Sequence, residues 1–313
     1  MRTAQLGQTG LEITRLGFGA WAIGGGEWEF GWGPQADEQS LAAIQRALEL
    51  GVNWIDTAAA YGFGHSEELV GRALRGVAKA PYVFTKCSLL EGPGGRVRHS
   101  LQRDSIVREA HASLERLGVD AIDLYQIHWP VPAEDIEQGW SALAELKREG
   151  LVRHIGVSNF SVAQLQRVGQ IAPVETLQPE YSLIERDAEA ELLPFAEREG
   201  IGVIVYSPMG SGMLSGAMTR ERVERLAPND WRRRDPRFQE PQLSRNLALV
   251  ERLDRVAARH GVVPGAVAVA WTLANPAVDG AIVGFRSPEQ VDPLLAAADL
   301  QLSPEDMAEI EGA

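Results

Sequence analysis

The sequence predicts a single (β/α)8, or TIM, barrel spanning residues 1–313, with an N-terminal β-hairpin and a long loop between its seventh and eighth strands. Three observations lead there. About eight short apolar runs alternate with amphipathic stretches of helical period, the number that closes such a barrel. No Ser/Gly linker or low-complexity tract interrupts the alternation, so one domain is the simpler reading. Four polar residues, Asp56, Tyr61, Lys86 and His128, stand at or just beyond the ends of strand-like runs, and a parallel barrel carries its chemistry at the C-terminal ends of its strands.

Taken in order, residues Gln5 to Arg15 hold a Gln-Thr-Gly turn between two short runs, which reads as a hairpin capping the bottom of the barrel. The strand-like runs follow at Leu16 to Ile23, Asn53 to Ala58, Val83 to Ser88, Leu124 to Trp129, His154 to Asn159, Thr176 to Tyr181, Gly202 to Pro208 and Gly280 to Phe285. Helices fit between them. The stretch from Glu38 puts Leu41, Ile44 and Leu48 on one face and ends at Gly51, a C-cap glycine. Ser66 opens another, with Leu69, Ala73 and Leu74 at the same spacing, and Asp104 to Leu117 repeats the pattern before Gly118.

Two loops break the rhythm. Residues Met209 to Ser244 carry Pro228, Pro236 and Pro241 and the basic run Arg232 to Arg234, and a long insertion at this face reads as a lid or binding loop. After the first strand, Gly24 to Gly26 leads into Trp28, Phe30 and Trp32, aromatics suited to the wall of a substrate pocket. Gly17-Phe18-Gly19-Ala20-Trp21-Ala22 matches the pattern of a dinucleotide-binding turn. That turn must lead directly into a helix, however, and here the chain runs on into the aromatic loop.

Composition narrows the partners. A formal charge of -13 and a pI near 5.0 argue against nucleic acid or an anionic membrane surface. A single cysteine, Cys87, allows no internal disulfide and no cysteine-held zinc. Strand alternation turns Cys87 away from Lys86, toward the helices. The histidines show no metal-ligand spacing, the N-terminus lacks an apolar signal-like region, and the apolar stretch from Gly261 to Phe285 is broken by prolines and Asp279. Cytoplasm is the default expectation.

The four strand-end residues complement one another. Hydride transfer to a carbonyl needs a proton delivered to oxygen, which a Tyr phenol can supply. A neighbouring ammonium such as Lys86 lowers the phenol pKa, each unit being worth about 1.36 kcal/mol. Asp56 then holds Lys86 charged and in place, and His128 orients or polarises the carbonyl oxygen.

Together with Asp56-Thr57-Ala58, Tyr61-Gly62, Ser66-Glu67, Val70-Gly71 and Thr85-Lys86, the run Asp123 to Pro130 carries a resemblance to the aldo-keto reductase family. So do Ile155 to Phe160, Gln178 to Ser182 and Tyr206 to Gly210. The resemblance runs from about Leu6 to the C-terminus. It implies a barrel that binds extended NADP(H) without a Rossmann domain, with Asp56, Tyr61, Lys86 and His128 as the catalytic tetrad. It implies that Ser158, Asn159 and Gln178 hold the nicotinamide carboxamide, that Tyr206 stacks on the nicotinamide, and that Ser207, Pro208, Met209, Gly210, Ser211 and Gly212 approach the pyrophosphate. Gly284, Arg286 and Gln290 fall in its adenosine-phosphate segment, where Arg286 favours NADP over NAD by charge-assisted bonds. The chain departs from the family at Pro293 and Leu294, usually Glu and Asn, and at Ala217, commonly Lys; Arg234 or Arg237 can offset the loss.

The expected activity is therefore NADP-dependent hydride transfer to or from the carbonyl carbon of an aldehyde, ketone or sugar. Trp21, Trp28, Trp32 and Trp129 are expected to wall the pocket. Two rivals stay open: a Schiff-base lyase with Lys86 as nucleophile, and a redox-sensing NADP-binding subunit without major turnover.

Overall fold

The computed structural model describes residues 1–312. Twelve strands occur among them: β1 Thr3–Gln5, β2 Glu12–Thr14, β3 Leu16–Gly19, β4 Trp54–Asp56, β5 Tyr82–Cys87, β6 Leu89–Glu91, β7 Val97–His99, β8 Ile122–Ile127, β9 Val152–Ser158, β10 Thr176–Gln178, β11 Gly202–Val205 and β12 Gly280–Gly284. Eight of them, β3, β4, β5, β8, β9, β10, β11 and β12, close a parallel barrel in that cyclic order. Each overlaps one of the eight expected runs. The first is shorter than expected, because after Gly19 the chain turns into a 3-10 turn at Trp21–Ile23.

The helices are α1 Asp37–Glu49, α2 His65–Leu74, α3 Arg103–Leu117, α4 Ile136–Arg148, α5 Val162–Gly169, α6 Leu192–Glu199, α7 Arg220–Glu224, α8 Gln242–His260, α9 Pro264–Leu273, α10 Val291–Leu295 and α11 Pro304–Glu311. Their apolar stripes pack on the outer face of the barrel. There Ile44, Leu69, Ile106, Leu143, Leu165 and Val267 join outward strand residues such as Ile55, Tyr125, Ile127 and Val205 in one core. No single helix among the described residues is long and apolar enough to cross a membrane.

Inside the barrel, the period of two along each strand builds layers. Trp54, Phe84, Leu124, Ile204 and Ile282 form an apolar layer with Leu6, Leu11 and Ile13 of the N-terminal hairpin beneath it. The hairpin thus plugs the bottom, pinned by the Gly7 N–H donating to Asp279 at 3.1 Å. Two residues further up, β4, β5 and β8 present Asp56, Lys86 and Gln126, and β10 adds Gln178, all buried. The switch from apolar to polar between these layers marks the floor of the site.

The Gly17-x-Gly19 pattern finds its reason in this interior, not in a phosphate turn. Both glycines lie in strand β3, and a Cβ on Gly17 would run into the indole of Trp54. The hairpin β6–β7 was not anticipated from sequence. Its strands are only 3 residues each and follow β5 directly, too short for an alternation signal. Replacing Gly17 by Ala should overpack the Trp54 layer and lower the unfolding free energy by about 1–3 kcal/mol, read as a fall in urea midpoint at constant m-value.

Candidate active site

Asp56 and Lys86 reach the site because each ends or nearly ends its strand two residues beyond a large interior side chain, Trp54 and Phe84. Lys86 Nζ donates to Asp56 Oδ1 at 2.5 Å, to the Thr57 carbonyl at 2.9 Å and to Tyr61 Oη at 3.3 Å. Three N–H bonds thus go to three oxygens. Tyr61 comes from the loop between β4 and α2, held by Tyr61 N–H to Ala58 C=O at 3.1 Å. His128 follows β8, its N–H bonded to the Cys87 carbonyl at 3.1 Å, and its ring stands edge-on to Tyr61 at 5.7 Å. The tetrad residues expected from sequence are therefore brought together.

Electrostatics refine the expected roles. Burial, then the Asp56 charge, pushes the Tyr61 phenol well above its ordinary value. This differs from the expected lowering by Lys86. The ammonium lies against the Asp56 carboxylate, so its field at the phenol is largely cancelled, and desolvation wins. Burial likewise lowers the Lys86 pKa and raises that of Asp56, each opposed by the other's charge. His128 falls well below its usual range through burial and the Lys86 charge, so it is a neutral imidazole. Its Nδ1 is buried and has no hydrogen-bond partner among the described residues.

The residues expected around a nicotinamide form one network at the ends of β9, β10 and β11. Ser158 Oγ donates to the Gln178 carbonyl at 2.7 Å, and Asn159 Nδ2 donates to Ser158 Oγ and the His128 carbonyl, both at 3.0 Å. Tyr206 Oη donates to Asn159 Oδ1 at 2.8 Å. Gln178 Nε2 donates to Asp56 Oδ2 at 2.9 Å, with Gln126 Oε1 at 3.4 Å. Gln126, wholly buried in the same layer, was not singled out from sequence, although it sits in the strand-like run Leu124 to Trp129. Its strand register opposite Lys86 is what brings it in.

Beyond Tyr206 the backbone curls. Ser207, Gly210, Ser211 and Gly212 all have positive φ, at 53°, 55°, 55° and 89°; the Gly210 and Gly212 N–H groups close the curl on the Ser207 and Met209 carbonyls, and the Ser207 and Ser211 hydroxyls, 3.4 Å apart, are donors of the kind that suits anionic oxygens. Pro208 and Met209 complete the turn and are buried. Arg232 flanks it, 7% exposed, gripping Asp230 at 3.0 and 2.6 Å with its Nη1 at 3.5 Å from the Ser211 carbonyl. The chemistry of these groups fits a dinucleotide's phosphates.

Of the basic run, Arg234 is not brought to this turn. It is exposed, donates to the Glu29 carbonyl at 2.7 Å and faces a separate cavity. The 3-10 turn over Trp231–Arg234 rotates its side chain outward while Arg232 points inward. Arg237 is also committed, paired to Asp235 and Glu180 at 2.5 Å each. Arg286 lies at the end of β12 after the exposed Gly284, with its Nε on Gln35 at 2.8 Å and its Nη2 on the Pro34 carbonyl at 2.5 Å. Burial, then the positive charge of Arg232, lowers its pKa. Gln290 Oε1 accepts the Arg286 backbone N–H at 2.8 Å.

Aromatic rings roof the site. Trp21 stacks on Tyr61 at 6.3 Å and Trp28 tilts against it at 6.0 Å, while Trp32 meets Trp21 edge-on at 5.4 Å. Trp129 is 40% exposed and makes no ring contact with Tyr61. Trp231, from the long loop, stacks on Trp21 at 5.1 Å. It was not named from sequence, because only tertiary docking joins the two loops, through Trp231 N–H to Gly31 C=O at 3.1 Å and a bridge between Trp32 and Asp230. The long loop is more ordered than expected of an irregular lid, holding α7 and three 3-10 turns. Beside it lies a cavity of about 530 Å³ lined by Glu29, Phe30, Glu180, Trp231, Arg234 and Arg237.

Comparison with known proteins agrees with this architecture. The model of the aldo/keto reductase family matches residues 15–313. Aldo-keto reductase YhdN of Bacillus subtilis is 40% identical over 313 residues, covering 99% of this chain and 92% of the relative. The NADH-specific methylglyoxal reductase of Escherichia coli is 35% identical over 320 residues, covering 98% and 96%. Among solved structures, the glycerol dehydrogenase AKR11B4 from Gluconobacter oxydans superposes with a TM-score of 0.89 at 35% identity, covering 99% and 94%.

Lys86→Met should cost about 3–5 kcal/mol of stability, because it strands the Asp56 carboxylate in the barrel. Pairing it with Asp56→Asn should recover a large part of that loss, measured as a double-mutant cycle in chemical denaturation.

Proposed function

Because the chain belongs to the aldo/keto reductase family, we propose that it is an NADP-dependent oxidoreductase acting on the carbonyl of an aldehyde, ketone or sugar, with Tyr61 as general acid. The observation that carries the reading is the buried Tyr61 phenol, 3.3 Å from Lys86 Nζ and ring-to-ring with His128. A bound nicotinamide supplies the hydride that forms the new C–H bond. Tyr61 gives its proton to the carbonyl oxygen, and the product is the alcohol. In the reverse direction the phenolate takes the hydroxyl proton. Burial keeps the phenol protonated in the resting site, the state from which it can give a proton.

The neutral His128 imidazole can donate a hydrogen bond to the substrate oxygen and turn it toward Tyr61. The Lys86 ammonium holds Oη in place and steadies the charge that builds there as the proton leaves. Trp21 and Trp28 keep water from the reacting oxygen. For the cofactor, Ser158, Asn159 and Gln178 would hold the carboxamide, Tyr206 the ring, the Ser207 to Gly212 turn the pyrophosphate, and Arg286 a 2'-phosphate.

Lys86 does not suit a Schiff-base nucleophile, since its N–H groups are spent on three oxygens and a carboxylate pairs with it. NADH use is the one alternative with support of its own. Arg286 is already held by Pro34 and Gln35, and the Escherichia coli relative is described as NADH-specific. Favouring NADP is the cluster of Arg286 with the charge of Arg232 and Arg222.

Tyr61→Phe should lower kcat by about 100-fold or more in an NADPH-oxidation screen over aldehydes, ketones and sugars while leaving NADPH binding intact; unchanged turnover would rule out Tyr61 as the acid. Arg286→Ala should weaken NADPH about tenfold more than NADH, one charge-assisted bond being worth about 1.5–3 kcal/mol. Equal losses, read by fluorescence titration, would favour the NADH reading.

A further inference from the structure

Helix α3 buries Ser105, Ile106, Glu109, Ala110, Ser113 and Leu117, so a carboxyl stands in a stripe that packs on the barrel. Glu109 is 7% exposed and has no part in the chemistry described so far. A buried carboxyl is costly unless its oxygens are used, and here both are. Glu109 Oε2 accepts the Ser88 N–H at 2.9 Å, and Oε1 accepts the Ser105 hydroxyl at 3.2 Å.

Ser88 is the residue at which β5 has just ended, two positions beyond Lys86. Its φ of 83° lies in the left-handed region, a conformation that persists in a non-glycine residue only where its surroundings hold it. Its Oγ takes the Trp129 N–H and donates to the Trp129 carbonyl, both at 3.3 Å, and its own carbonyl accepts from Ser100 N–H at 3.0 Å. One residue back, Cys87 C=O accepts the His128 N–H at 3.1 Å. A single joint therefore ties the two chain ends bearing Lys86 and His128 to each other and to α3.

We propose that Glu109 and Ser88 are positioning residues that set where Lys86 and His128 stand relative to the Tyr61 hydroxyl, an inference that rests on the hydride-transfer reading. Packing alone would be served by an aliphatic side chain at 109, and the left-handed turn alone by glycine at 88. The pair is explained by the bonds it makes across the two strand ends. Burial pushes the Glu109 carboxyl up to about 7, so its bond to Ser88 N–H becomes charge-assisted as pH rises through neutrality. The charged and titratable groups facing it are Glu67 of α2, Arg116 of α3, Cys87 of β5 and Tyr125 of β8. Glu67 is itself held by Thr85 and Arg116.

Ser88→Gly is the first test, because glycine accepts the left-handed φ and spares the fold while removing the hydroxyl. It should lower kcat by about 10- to 100-fold, the scale of a displaced catalytic group, with cofactor affinity and Tm retained. Glu109→Ala should show the same split of kcat from cofactor binding, and Glu109→Gln, which keeps an acceptor, should restore most of the loss. Because the protonated carboxyl also keeps an acceptor, the wild-type kcat should rise only modestly, by less than the Ala loss, across about pH 6 to 8, along a limb that the Gln variant lacks.

A Ser88→Gly enzyme with wild-type kcat overturns the proposal. So does a Glu109→Ala enzyme whose kcat, Tm and cofactor affinity fall together with no rescue by Gln. If the wild type reduces no carbonyl at all, the hydride-transfer reading has failed separately. The joint is then read without turnover from the His128 imidazole resonances, which should move in Ser88→Gly and which overturn the proposal if they do not.

Discussion

A fully buried ammonium is tolerable only against a negative charge, and the pairing of Lys86 with Asp56 across adjacent strands sets the terms for the rest of the site. Each member needs the other, so the two strand ends are locked in register. The remaining donors of Lys86 then have fixed directions, toward the Thr57 carbonyl and the Tyr61 hydroxyl. Gln178 caps the far oxygen of Asp56 at 2.9 Å and so links the opposite side of the barrel to the same pair. Trp54, Phe84, Leu124, Ile204 and Ile282 lie beneath the pair, and these apolar neighbours make both the attraction and the penalty for breaking it large.

The same desolvation decides proton positions. It outweighs the cancelled charge of Lys86 at Tyr61 and keeps the phenol protonated, and it keeps His128 neutral. The site thus offers a proton and a neutral hydrogen-bond donor side by side, under a roof of Trp21 and Trp28. That roof exists because two loops distant in sequence dock on each other, Trp231 lying on Trp21 and Arg232 lying over Trp32 at 4.4 Å. Arg232 then does double duty, stacking on the roof and flanking the curled backbone at Ser211 and Gly212.

Much of this was legible in the chain alone. The eight strand runs, the hairpin and the strand-end placement of Asp56, Lys86 and His128 follow from periods of two and of about 3.6 residues, which are local properties. The family resemblance rested on contiguous motifs from about Leu6 onward, and the family model covers residues 15–313 of that stretch. The outward turn of Cys87 also follows from alternation, and it lies in the outer core.

What the sequence by itself determined is which residues end the strands and therefore which chemistry the barrel mouth can carry, because one residue's step along a strand decides inside from outside. What only the tertiary structure decided is everything that depends on groups far apart in sequence. It chose Arg232 over Arg234 to flank the turn at Ser211, committed Arg237 to Glu180 and Asp235, brought in Trp231 and Gln126, and set Glu109 under Ser88. It also reversed the expected shift of the Tyr61 phenol. The reason is the same in each case: burial and through-space charge depend on three-dimensional neighbours, and no pattern along the chain encodes how much water remains around a group.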